Sequence, residues 1–289
     1  MDPNCLTTKD VARLCKVSDA TVKRWAESGL IRSERTSGGH RRFRADEVAR
    51  FQKEQKLGVK HSPGDESVVT AATRRRVNRE LSEREMFHSL VNGKEEEVAN
   101  LLIKEFLGGA SLGKIFDDSV ASTMQRIGEL WFEGKVSVAH EHLATRAALC
   151  AVHKLRSVVP VQNYCKKLMF CFAIEGDFHE LSSHLAQMVF ESEGWEVMNF
   201  GANTPLFAVA DEVIHHSPEL ICISSTIMTD VERFSRDYEA FRKKIRSRTI
   251  PIVLGGRAFE DPKIHKRFPA DHYPENFEEL SEIAKDYAC

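Results

Sequence analysis

The sequence predicts a multidomain chain of α and α/β class: a winged helix-turn-helix, a four-helix bundle, and a Rossmann-like domain built on a parallel sheet. Three observations predict it. The first 60 residues hold two short helical stretches and a Gly38-Gly39 turn set among basic side chains. Residues 78–159 keep helical spacing throughout, interrupted only at Gly93, Gly108-Gly109 and Gly134. From Cys165 onward, short apolar runs alternate with helical stretches, as strands and helices do in a parallel sheet.

Composition bounds the function classes. A chain of 289 residues has room for two or three domains, and 42% hydrophobic and 29% charged residues are ordinary for soluble globular protein. No apolar run reaches the roughly 18 residues that a membrane span needs, and the Met1–Cys5 start lacks the basic and apolar regions of a signal peptide. The seven cysteines form no C-x-x-C pair, which predicts reduced thiols in a cytoplasm and no zinc site. Net charge is −2, yet residues 1–60 carry 14 Lys and Arg against 8 Asp and Glu. A basic head therefore precedes an acidic body, and nucleic acid is expected at one end only.

Within the head, Thr7-Thr8-Lys9-Asp10 is a capping-box-like start to a helix reaching Cys15, with Val11 and Leu14 on one face. Ser18 caps a second helix, Asp19–Ser28, which Gly29 stops. The following stretch, Leu30 to Phe43, places Gly38-Gly39 between two extended arms and ends in His40-Arg41-Arg42 beside an aromatic anchor, Phe43. A third helix, Ala45–Lys56, carries Val48 and Phe51 inward. The two helices, the wing and the third helix resemble the MerR-type winged helix-turn-helix of bacterial regulators over residues 5–56. That resemblance implies that Thr21, Lys23 and Arg24 face the major groove and phosphates of double-stranded operator DNA. It also implies that the wing, with His40, Arg41 and Arg42, holds the DNA backbone. Val22 and Trp25 read as core. The plain alternative for the cationic cluster is a solvated face.

The stretch 58–77, with Pro63-Gly64 and Arg74-Arg75-Arg76, lacks periodicity and reads as a linker between a head at 1–57 and a bundle at 78–160. Helices are expected at Asn78–Val91, Lys94–Leu107, Ser111–Glu133 and Ser137–Val158. Leu112, Ile115, Phe116, Val120, Met124, Ile127 and Leu130 form one apolar stripe. Read by itself, the bundle puts Trp131 and Phe132 in the core and turns Glu141 and His142 to water.

In the last domain, 161–289, strands are expected near 168–174, 196–200, 220–225 and 251–254, with a weaker fifth around His272. No P-loop and no G-x-G-x-x-G occurs. The first strand runs into Glu175-Gly-Asp177-Phe-His179-Glu-Leu-Ser182, so His179 lies on a loop at the carboxyl end of a strand, where open α/β sheets bind ligands. Asp177 can accept a hydrogen bond from one imidazole nitrogen and make the other a better donor to a metal. Ser224-Ser225-Thr226 and Gly255-Gly256 end two further strands in small residues, and Asn203-Thr204-Pro205 is expected to cap a helix through Thr204.

These stretches resemble the cobalamin-binding module, with its D-x-H-x-x-G, S-x-L or S-x-T, and G-G pattern. The resemblance implies that His179 is the lower ligand of the cobalamin cobalt and Asp177 its relay. Ser224, Thr226, Gly255 and Gly256 would line the slot for the dimethylbenzimidazole tail, with Asn203 beside it. The family's glycine is Ser182 here. With the head and bundle in the same order, and a W-x9-E-H spacing from Trp131 to Glu141-His142, nearly the whole chain resembles CarH-type regulators. Membership would imply adenosylcobalamin as cofactor, with Trp131 packed on the adenosyl group and Glu141 and His142 hydrogen-bonded to it. It would also imply a homo-tetramer in the dark that light disassembles, and repression of carotenoid or photoprotection genes. A histidine that can take the vacated cobalt position in that family is Phe132 in this sequence. Two rivals remain: a DNA-binding regulator using another tetrapyrrole, or cobalamin without photolysis, and a corrinoid methyl-carrier subunit.

Overall fold

The computed structural model describes residues 5–36, 38–55, 82–160 and 167–288. The expected linker, with Arg74-Arg75-Arg76, lies outside the described residues. The chain forms two compact units, Met1–Pro160 and Val161–Cys289. Among the described residues, no helix is long and apolar enough to cross a membrane.

The first unit opens with β1 (Cys5–Thr7) and α1 (Thr8–Leu14). Thr7 and Asp10 complete the expected capping box: the Thr7 hydroxyl accepts from the Asp10 N–H, and Asp10 accepts from the Thr7 N–H at 3.0 Å. Ser18 accepts from the Thr21 N–H and caps α2 (Asp19–Glu27). The wing is β2 (Glu34–Arg35) and β3 (Arg41–Arg44), antiparallel, with Arg35 opposite Arg41. Strand β1 was not legible: its three residues pair with β3 in a sheet of order β1-β3-β2, and only that partner makes them a strand. Val11, Val22, Ile31, Phe43 and, from α3 (Ala45–Glu54), Val48 and Phe51 are buried, and Trp25 packs on the Phe51 ring at 4.9 Å.

The bundle comprises α4 (82–91), α5 (Glu95–Leu107), a third helical rod, and α8 (Val138–Arg156). Helix α8 presents Ala144, Ala147, Ala148 and Ala151, all buried, and small side chains let α5 lie close along it. The third rod is not the continuous α-helix expected. It runs as α6 (Leu112–Ile115), a π-helical stretch Phe116–Ala121, and α7 (Ser122–Phe132). A π turn holds one more residue than an α turn, which rotates everything after it by about 100°. Burial nevertheless keeps helical spacing through Ile115, Phe116, Val120, Thr123 and Ile127, so the expected stripe holds at these positions apart from Thr123, while Met124 and Leu130 are only half-buried. Trp131 and Phe132 do not enter the core.

The second unit holds β4 (Leu168–Ala173), β5 (Glu196–Asn199), β6 (Leu220–Ser224) and β7 (Ile252–Gly255), all parallel, in the order β5-β4-β6-β7. The expected fifth strand is reduced to a single bridge between Val253 and His272. Helices α9 (Leu181–Ser192), α10 (Leu206–His216), α11 (Val231–Ile245), α12 (Pro262–Arg267) and α13 (Phe277–Asp286) complete the unit. Strands β4 and β6 are buried almost throughout, so their sequences read as unbroken apolar runs. Cys171 and Cys222 face each other in register, and burial pushes the Cys222 thiol up to about 12. Both are core residues, as their apolar surroundings in the sequence suggested.

Candidate functional site

The chain passes from β4 outward to β5, then returns to place β6 on the other side of β4. That reversal is a topological switch point, and the loops leaving the carboxyl ends of β4 and β6 flank a crevice there. Asp177 stands between them, 1% exposed. Its Oδ1 accepts from the His179 N–H at 3.0 Å and from His179 Nδ1 at 2.7 Å. Its Oδ2 accepts from the backbone N–H groups of Thr226 at 2.5 Å and Ile227 at 3.3 Å. Burial alone would raise the Asp177 pKa; the hydrogen bonds from His179, Thr226 and Ile227 outweigh it and hold the carboxyl below its ordinary value. An ionised carboxylate accepts only, so Nδ1 of His179 carries its proton and the ring is fixed in one tautomer. The His179 side chain is 48% exposed at the crevice.

The loop is braced from a third side. Asn203, in the left-handed region at φ 53°, donates its N–H to the Asp177 carbonyl and accepts the Gly176 N–H on Oδ1, each at 2.8 Å. It acts here as a brace for the His179 loop. Thr204 is not the cap expected: its hydroxyl donates to the Phe200 carbonyl, and Pro205 occupies the N-cap of α10. Arg233 reaches Glu175 at 2.7 Å across the rim.

Ser224 ends β6 at 6% exposure, and among the described residues its Oγ has no hydrogen-bond partner. Its neighbours in register are Ala173 and Gly255, which offer none. Gly256 follows with φ 94°, and a Cβ built there would lie 2.5 Å from the Ser225 carbonyl oxygen, so only glycine fits. At Gly255 the nearest atom to such a Cβ is 3.9 Å away. Thr226 is tied through its backbone, and Ser182 lies half-buried in the first turn of α9. The tie from Thr226 and Ile227 to Asp177, and the exposed Phe178 and Ile227, were missed. Backbone donors leave no mark in a sequence.

In the first unit, the turn between α7 and α8 carries a second group of candidates. Trp131 is 46% exposed and Phe132 88%, with Val138 and Leu143 also exposed, so the core reading of both aromatics is corrected. Glu141 accepts from the Thr145 hydroxyl at 3.0 Å and lies 3.7 Å from Nε2 of His142, whose side chain is 74% exposed. On the head, Lys23, Arg24 and His40 are exposed, while Thr21 is held against the Ser18 cap. Arg41 differs: its side chain is 14% exposed and bonds Glu27 at the end of α2 at 2.9 Å. Arg42 donates to the Arg41 carbonyl.

Comparison with known proteins finds three matched families along the chain. Residues 5–56 match a helix-turn-helix domain family, residues 82–155 a B12 binding domain family, and residues 169–272 a second B12 binding domain family. The matched families set a helix-turn-helix domain ahead of two B12 binding domains in one chain. Its domain organisation is that of the CarH type, and the chain is similar to the HTH-type transcriptional repressor CarH of Myxococcus xanthus, 23% identical over 86% of this chain and 87% of that one. It is also similar to dimethylamine corrinoid protein 1 of Methanosarcina mazei, 24% identical over 60% of this chain and 81% of that one. The solved monomethylamine corrinoid protein of Methanosarcina barkeri shares the fold, with a TM-score of 0.61 at 19% identity, over 72% of this chain and 99% of that one.

Proposed function

We propose that the chain is a cytoplasmic, light-responsive repressor that holds adenosylcobalamin and changes its assembly and operator affinity on illumination, with photoprotection genes as targets. The observation that carries the cofactor reading is the Asp177–His179 pair at the switch point, its proton fixed on Nδ1. The other residues fit a corrinoid with a nucleotide tail. The Ser224 hydroxyl, without a partner among the described residues, is a buried donor suited to a ring nitrogen, and bare backbone at Gly255, where a Cβ would meet nothing nearer than 3.9 Å, leaves room for a flat group. His179 would hold the cobalt through Nε2, and Asp177 would raise that nitrogen's basicity. Ser224, Thr226, Gly255 and Gly256 would line the tail slot, with Ser182 at its margin. Adenosylcobalamin would supply a cobalt–carbon bond that light breaks.

The half-exposed Trp131 and nearly bare Phe132 suit a face that is covered only when an adenosyl group lies under it, with Glu141 and His142 as its polar contacts. We place Lys23, Arg24 and the wing against duplex DNA. A single winged head binds weakly, whereas tethered heads in a tetramer gain by effective concentration. Loss of the tetramer then releases DNA with every head contact intact. Gel filtration and operator retention, dark and illuminated, test this reading: a tetramer that holds DNA in the dark should fall apart and let go in light. The corrinoid-protein relatives favour a second reading, methyl carriage to a partner protein. Methyl transfer without duplex binding would select it.

A further inference from the structure

The helix-turn-helix head and the bundle share one compact unit, and a side-chain amide links them through helix ends. Helix α3 packs on α5. From α3, Gln52 donates Nε2 to the backbone carbonyl of Leu107, the last residue of α5, at 3.1 Å. The same nitrogen lies 3.5 Å from the carbonyl of Leu14, the last residue of α1. The last carbonyls of a helix have no partner within it, so both bonds meet a need that each helix leaves open. Leu107 itself is 2% exposed although it ends its helix. Helix α5 lies along α8, which carries Glu141 and His142.

We propose that Gln52 is a positioning residue that registers the DNA-binding head on the bundle. A shift of α5 against α8 then reaches α1 through this amide, without passing along residues 56–81. The docking is independent of the cofactor reading; its use as a relay rests on it.

Relaxation of backbone 15N in the full-length, cofactor-free chain tests the docking. In the wild type, head and bundle amides should share one rotational correlation time. Gln52→Leu keeps the bulk and removes the donors, and should lower the docked-to-undocked ratio about fivefold, so that head amides tumble faster than bundle amides. Wild-type heads that already tumble independently, or a head that stays locked in Gln52→Leu, overturn the proposal. The amide spectrum of the variant's head reports whether it is still folded. A second measurement uses a duplex selected by the wild-type chain from a random pool. Gln52→Leu should bind it more weakly with the salt dependence unchanged, because no phosphate contact is removed. Weaker binding by Gln52→Leu while head and bundle still share one correlation time would make Gln52 a DNA contact and overturn the positioning role. If no duplex is selected while the relaxation result holds, the docking stands and the regulator reading fails.

Discussion

The two candidate cofactor surfaces are built in opposite ways. At the end of the parallel sheet, Asp177 is buried and bonded to His179, Thr226 and Ile227, and Asn203 braces the same loop. At the α7–α8 turn, Trp131 and Phe132 stand largely exposed and Glu141 and His142 have few fixed partners. The first surface is preorganised whether or not anything is bound. The second leaves its aromatic rings open to solvent and few of its polar groups fixed. Loss of the buried Asp177 carboxylate should therefore disturb both fold and binding, whereas a substitution at the bundle turn should disturb binding and assembly alone.

Asp177→Asn is expected to weaken both fold and binding at the sheet site, though less for binding than loss of His179 itself. Cobalamin retention should fall about 10- to 100-fold, as for a residue that orients a metal ligand. The same change reports on pH. The folded carboxyl titrates below its unfolded value of about 3.9, so its contribution is complete above that value and fades as pH falls through the folded pKa. Urea unfolding between pH 7 and pH 3 should show the wild type losing stability with acid while Asp177→Asn, less stable at neutrality, stays flatter. Equal slopes would mean that Asp177 is not the buried anion described.

The glycine pair sharpens the comparison. Gly256→Ala should cost about 2 kcal/mol or more through the clash with the Ser225 carbonyl and the positive φ, and Gly255→Ala less than about 1 kcal/mol. Urea midpoints separate the two. Ser224→Ala should leave the cofactor-free protein as stable as wild type or more so, by up to about 1 kcal/mol, because it removes an unpaired buried hydroxyl. Its cobalamin retention should nevertheless fall about fivefold. A destabilised variant with full retention would remove Ser224 from the tail slot.

The smallest effect on stability is expected at the bundle turn. Trp131→Ala should change the cofactor-free midpoint by no more than about 1 kcal/mol, yet abolish the dark assembly seen by gel filtration. Phe132 has no lone pair, so the illuminated wild type should show no second histidine on cobalt. Phe132→His should add one to the absorption spectrum.

How far the sequence announced these surfaces follows from their construction. The strands β4 and β6 were legible because burial on both faces leaves continuous apolar runs. His179 and Asp177 were legible because their chemistry and spacing are local. The exposure of Trp131 and Phe132 was not: Trp131 stands one turn beyond the buried Ile127, in the last turn of α7, and helical spacing does not tell how far neighbouring helices cover that face. The bond from Arg41 to Glu27, which joins the wing to α2, was not legible either, because the fold of the hairpin sets it. The pairing of β1 and the backbone donors on Asp177 were hidden for the same reason: both depend on residues distant in the chain.

The central claim is that this chain holds cobalamin through His179. It is tested most directly by the absorption spectrum of the purified chain, loaded with adenosylcobalamin in the dark and freed of excess cofactor, beside His179→Ala treated alike. The half-exposed His179 ring can be removed without opening the core, so both proteins should fold. The account predicts a retained, histidine-ligated spectrum in the wild type that light changes, and none in the variant. A variant that keeps the same histidine-ligated spectrum, or a wild type that retains no cobalamin, would contradict it.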